Sequence, residues 1–90
     1  MSVTAFIQHQ VSDYDTWRKV YDEFADFQKE HGVTEESVHC APGDRNTVMV
    51  LHRFASPADA QAFLGSTELR ETMHEAGVEG QPRIEIYEDV

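Results

Sequence analysis

Apolar and polar residues alternate from Val3 to Val11. Val3, Ala5, Ile7, His9 and Val11 fall on one face; Thr4, Phe6, Gln8 and Gln10 fall on the other. A period of two predicts a β-strand with one buried face. The period then changes. In DYDTWRKVYDEFADFQKEHG, residues 13–32, Tyr14, Trp17, Val20, Tyr21, Phe24, Phe27, Gln28 and His31 fall within roughly a 140° arc, while Asp15, Arg18, Lys19, Asp22, Glu23, Asp26 and Glu30 lie off it. This predicts a single amphipathic helix. Ser12 with Asp15 makes a near capping box at its start, and Gly32 is a natural terminator.

Residues 34–41 form a weaker strand candidate, with Val38 and Cys40 on one face. Pro42-Gly43-Asp44-Arg45-Asn46 reads as a turn, and Thr47 to Phe54 as a strong strand rich in large and β-branched residues. Ser56-Pro57-Ala58-Asp59 is a helix start, with serine as N-cap and proline at the first helical position. A short helix then runs to Leu64. Gly65 and Ser66 interrupt it, and a second segment, TELRETMHEA, ends at Gly77, after which Val78 can pack back on Met73. Gly80 and Pro82 mark a loop, and Arg83 to Glu88 alternates as a last strand. The order β-α-β-β-α-β predicts an α+β, ferredoxin-like domain spanning residues 1–90, with one four-stranded antiparallel sheet and both helices on one face.

The helix side of that sheet takes Val3, Ala5, Ile7, His9, Val11, Val48, Val50, His52, Phe54, Ile84 and Ile86. The opposite side takes Phe6, Gln8, Gln10, Met49, Leu51, Arg53, Arg83, Glu85 and Tyr87. Phe6, Met49, Leu51 and Tyr87 side by side would leave an apolar patch on a monomer. The expectation is a homodimer with sheets face to face, in which Arg53, Arg83 and Glu85 can also pair. Size points the same way, because a chain this short buries only about 60–65% of its unfolded surface and gains from a partner.

Composition narrows the function classes. Net charge is −10 with seven basic residues, so phosphate backbones and anionic membranes are repelled, and nucleic-acid or membrane partners are not expected. No apolar run approaches the roughly 18 residues of a membrane span. The N-terminus alternates like a strand instead of resembling a signal peptide. The lone Cys40 suits a reducing compartment, and a cytoplasmic location is expected.

A strand leading into V-x-D-Y-D-x-W (Val11, Asp13, Tyr14, Asp15, Trp17) resembles small members of the dimeric α+β barrel superfamily. So does L-R-E-x-M-x-x-A-G-V-x-G-x-P before a final strand (Leu69, Met73, Ala76, Gly77, Val78, Gly80, Pro82). This is the group of antibiotic-biosynthesis monooxygenases and several small proteins labelled cyclases. The resemblance covers Val3 to Tyr87 and rests mostly on cap, core and turn positions. It implies a homodimer with an apolar pocket between helices and sheet, binding a small, flat, aromatic or polyketide-like molecule. The implied chemistry is cofactor-free: oxygenation of a phenolic ring, or cyclisation or isomerisation begun by proton abstraction. The same superfamily holds haem-degrading enzymes, lactone isomerases and proteins without known activity, so a non-catalytic metabolite-binding or structural dimer is the rival reading.

Five histidines, His9, His31, His39, His52 and His74, show no HxH or HxxxH spacing, so no metal site is expected. His9 lies on the helix-facing side, just before the loop into the first helix and near Trp17. It is the candidate base; the plainer reading is a neutral histidine hydrogen-bonded to backbone at the edge of the core. His52 is expected near the far end of the first helix, by Phe27 and His31. Trp17, Tyr21, Phe24, His52 and Met73 are the candidate substrate-binding residues. No cofactor is expected; haem would need His9 or His52 aimed into a roomy pocket. Cys40 has no activating neighbour, and Ser12, Ser56 and Ser66 read as caps.

Overall fold

The computed structural model describes all ninety residues. Four strands, β1 (Val3–Val11), β2 (Val33–Ala41), β3 (Asp44–Phe54) and β4 (Val78–Glu88), form one sheet in the order β2-β3-β1-β4. Every adjacent pair is antiparallel. Four helical segments occupy the two connections: α1 (Tyr14–Glu23) and α2 (Ala25–Glu30), then α3 (Pro57–Leu64) and α4 (Thr67–Glu75). This is the expected ferredoxin-like arrangement, and no helix is long and apolar enough to cross a membrane.

The alternation in β1 is reproduced residue by residue: Val3, Ala5, Ile7, His9 and Val11 are buried and Phe6 and Gln10 are exposed. On β3, Val48, Val50, His52 and Phe54 share that buried face. The core divides along the strands. Towards the start of β1 it holds Val3, Ala5, Val33, Phe54, Ala60, Phe63 and Leu69. Towards its end it holds Ile7, Val11, Trp17, Tyr21, Val48, Val50 and Ala76.

Four local expectations are corrected. The single helix over residues 14–31 breaks at Phe24, whose amide is shared between the carbonyls of Val20 and Tyr21, each at 3.1 Å. No proline or glycine marks the break; it coincides with Phe24 and Phe27 stacking at 4.5 Å and both reaching Phe63. The cap of α1 is Asp13, not Ser12, with its carboxylate accepting from the Thr16 amide at 3.0 Å and hydroxyl at 2.9 Å. The turn is shorter than predicted, and β3 starts at Asp44. Gly80 to Pro82 are not a loop but an irregularity within β4, where the register with β1 shifts between Gln8 and Gln10. A bulge and a loop use the same residues, since glycine supplies the positive φ (+70° at Gly80) and an edge strand tolerates a proline.

Ile84 and Ile86 also depart from expectation. They lie on the helix side of the sheet but are 40% and 39% exposed. β4 is the edge strand, and the helices do not extend fully over it. On the outer face, Phe6 and Tyr87 pack edge to face at 5.6 Å and remain 37% and 55% exposed, with Met49 and Leu51 half-buried beside them. The charges expected to pair across a dimer are paired within the chain. Arg53 meets Asp89 at 2.9 Å and Glu35 at 3.3 Å, and Arg83 meets Glu85 at 3.1 Å.

Candidate functional site

One cavity lies between α1, α4 and the inner face of β1 and β3. Its walls include His9, Trp17, Tyr21, Phe24, His52 and Met73, so the six residues singled out from the sequence converge there. Periodicity brings them together. Residues 17 and 21 are successive turns of α1, and Phe24 at its end and Gln28 on α2 continue the stripe across the break; 7 and 9 on β1 with 50 and 52 on β3 point to the same side of paired strands. The end of the cavity near His9 is held by two ties. The Ser12 amide donates to the Gly77 carbonyl at 2.9 Å, joining the end of β1 to the end of α4. The Tyr14 amide donates to the Asn46 side chain at 3.0 Å, joining α1 to the β2–β3 hairpin. Gly77 has a φ of +84°, and a side chain there would run into the Ser12 hydroxyl.

His9 is 5% exposed, and neither ring nitrogen has a hydrogen-bond partner in the protein. The plainer expectation, an imidazole satisfied by backbone, is therefore not what the fold provides. Its ring centroid lies 5.6 Å from that of Trp17, and burial lowers its pKa to about 4. It is thus a neutral imidazole facing an aromatic wall, with nitrogens free to accept or donate.

His52 is not beside Phe27 and His31. Those two stack on each other at 3.9 Å, and His31 Nδ1 lies 2.9 Å from the Phe27 carbonyl. His52 instead places Nε2 3.1 Å from the Tyr21 hydroxyl, with Phe54 and Phe63 edge-on to its ring. Its Nδ1 has no partner, and burial lowers its pKa to about 4. Tyr21 is pushed upward by burial and then by the Glu36 carboxylate, against the pull of the Gln28 amide. The hydroxyl therefore stays protonated at neutral pH and can donate. Between the two histidines runs a stack of rings, Trp17 on Tyr21 at 4.9 Å and Tyr21 on His52 at 6.2 Å.

Gln28, which is 3% exposed and lines the cavity, has no role in the sequence reading beyond its place in the helical arc. Its signal was a glutamine inside an otherwise apolar helical arc. The Tyr21–His52 pairing had no sequence signal, because it depends on how far α1 reaches along the sheet.

The cavity measures about 40 Å³. That is room for a water-sized molecule, whereas an apolar cavity of about 150 Å³ takes benzene. In this conformation it does not accommodate a porphyrin beside His9 or His52. No three of His, Cys, Asp and Glu converge as a metal site.

No protein-family model matches the chain, and no curated protein matches it. Solved structures do. SnoaB, a cofactor-independent oxygenase from Streptomyces nogalater, superposes with a TM-score of 0.81 at 11% identity, covering 99% of this chain and 93% of that one. A provisionally assigned antibiotic biosynthesis monooxygenase from Bordetella bronchiseptica gives 0.83 at 8% identity, covering 99% and 97%. A Nitrosomonas europaea protein of unknown function gives 0.79 at 18% identity, covering 99% and 89%. The chain thus has the fold of the antibiotic-biosynthesis-monooxygenase-like ferredoxin proteins, as its motifs implied. At these identities the likeness is one of fold.

Proposed function

We propose that this protein is a small-molecule-binding homodimer acting as a cofactor-free monooxygenase or cyclase/isomerase on a flat aromatic or polyketide-like substrate, with His9 as the base. The observation that carries this reading is a buried imidazole with both nitrogens unpartnered, set against an aromatic wall in one cavity. Leaving a buried polar group unsatisfied costs about 1–3 kcal/mol, and such groups occur where a ligand or a reaction uses them. SnoaB, a cofactor-independent oxygenase of the same fold, supports the class of chemistry.

Deprotonation of a phenol or enol hydroxyl at His9 leaves an oxyanion with carbanion character at a ring carbon. That carbon can reduce dioxygen directly: one oxygen atom ends as a carbonyl on it, and the second departs as water with the one hydrogen the carbon loses and the proton that His9 took from the hydroxyl. Without dioxygen, the same anion can close a ring or be reprotonated elsewhere. The Tyr21 hydroxyl, held by His52, donates to the developing oxyanion, while Trp17 and Phe24 form an aromatic wall along one side of the ring. Burial makes empty-site His9 a weak base, and the anion formed beside it on proton transfer stabilises the imidazolium and raises its pKa. The exposed Phe6 and Tyr87 with half-buried Met49 and Leu51 support a dimer through the outer sheet face.

The test combines dioxygen uptake over anthrone- and naphthol-type substrates with native mass spectrometry. His9→Ala should lose at least about 100-fold in turnover while the dimer mass persists. Turnover surviving that change would refute the base assignment. A dimer that consumes none of these substrates would favour the non-catalytic binder, and a monomer would sink the outer-face argument.

A further inference from the structure

A second depression lies on the surface between α4 and β4, with a volume of about 380 Å³. Small-molecule sites span about 300–1,000 Å³, so this groove is of ligand size where the inner cavity is not. The two spaces share a wall, and Leu69 and Met73 are the only residues that line both. Leu69 is 7% exposed and Met73 is half-buried. Methionine is unbranched, with three rotatable bonds, and repacks readily. Rotation of the Met73 side chain would open one space into the other.

The charges around the groove select its occupant. Of the five arginines, Arg18, Arg45, Arg53 and Arg83 each pair with a carboxylate at 2.9–3.7 Å. Arg70, on the groove, has no carboxylate within 4 Å, although the chain carries 17 acidic residues. Its neighbour one turn on is His74, also on the groove. The inner cavity also adjoins a smaller cleft, between α1 and α4, of about 200 Å³, but Glu23 and Glu75 line that one. An anion is repelled there and attracted at Arg70.

Taking the inner cavity as the small-molecule site proposed above, we propose that the α4–β4 groove is its outer compartment, admitting a flat apolar carboxylic acid. Arg70 meets the carboxylate, and Met73 is the movable partition through which the apolar end reaches Trp17 and His9. The substrate is then an aromatic acid, its ring inside and its carboxylate at the surface.

Trp17 is the only tryptophan in the chain and lies on the inner cavity, so its fluorescence reports entry. Three probes of one shape separate the possibilities: 2-naphthoate, neutral 2-naphthylmethanol and cationic 2-naphthylmethylammonium, each titrated by fluorescence and by calorimetry. The expected result is saturable quenching of Trp17 by 2-naphthoate, weakened at least tenfold in Arg70→Glu and less in Arg70→Gln. Binding of the neutral alcohol should stay within twofold in both variants. Met73→Ala should speed association of both probes several-fold in stopped flow. Tighter binding of the cation, or equal response of all three probes to Arg70→Glu, would overturn the proposal. So would calorimetric binding of 2-naphthoate without a Trp17 response, or affinity that falls with rising protein concentration because a second copy fills the groove. Binding of no probe to wild type or to Met73→Ala would instead remove the small-molecule reading beneath it.

Discussion

The two halves of the core rest on one sheet face and are built from similar apolar residues, yet they carry different polar loads. Around Val3, Ala5 and Ala60, all at 1% exposure or less, the packing is hydrocarbon against hydrocarbon; His52 marks its border, edge-on to Phe54 and Phe63 with Nε2 on the Tyr21 hydroxyl of the other half. Around Trp17 the same kind of packing encloses His9, with two unpartnered nitrogens, and Tyr21 anchored only at one end to His52. A fold selected for stability alone would have put a leucine at position 9. The first half shows what this architecture does when it only has to hold together, and the second shows where it departs from that.

The comparison can be broken most forcefully at its stable end. Phe63→Ala removes a ring that touches Phe24, Phe27, His52 and Phe54. It should cost about 3–5 kcal/mol in urea unfolding. A loss below about 1 kcal/mol would mean that this half is loosely packed, and the contrast would fail.

Acid should attack the other half next. Both buried histidines have pKa values near 4 when folded, against 6.5 for the free side chain. Between those values the unfolded chain binds protons that the folded one refuses, so the histidine contribution to stability is full above about pH 6.5, falls as pH drops through the window, and levels off below about 4. The loss is on the order of 3 kcal/mol for each histidine. Denaturant midpoints measured from pH 7.5 to 4 check this, and a flat profile over the window would contradict the burial of both rings.

The smallest effect has the opposite sign. His9→Leu replaces an unsatisfied imidazole with an apolar side chain and should gain about 1–2 kcal/mol at pH 7. The gain should widen as pH falls from 6.5 towards 4, while turnover is lost. A destabilised His9→Leu would show that the histidine is held by interactions that the cavity geometry does not reveal.

Much of the fold was legible because its signals are local. The alternation of β1, the serine caps at 56 and 66, and the aromatic stripe of residues 14–31 each follow from spacing and side-chain chemistry. The misreadings share one cause. The break at Phe24, the bulge at Gly80–Pro82 and the displacement of His52 from Phe27 to Tyr21 all depend on what packs opposite. The six candidate site residues were found because cavity walls and core faces obey the same periodicity; Gln28 and Arg70 were passed over because a lone polar residue has no period.

Read alone, the chain determined its strands, its helical faces, the order β-α-β-β-α-β and the side of the sheet on which His9 and His52 lie, since these follow from periods of two and 3.6. Only the tertiary structure decided which polar groups found partners. His52 Nε2 has the Tyr21 hydroxyl at 3.1 Å, and His9 has nothing. It also decided that four arginines are paired and Arg70 is not. A hydrogen bond or ion pair requires two groups distant in sequence to meet within a few tenths of an ångström, and that distance is set by the packing of whole elements.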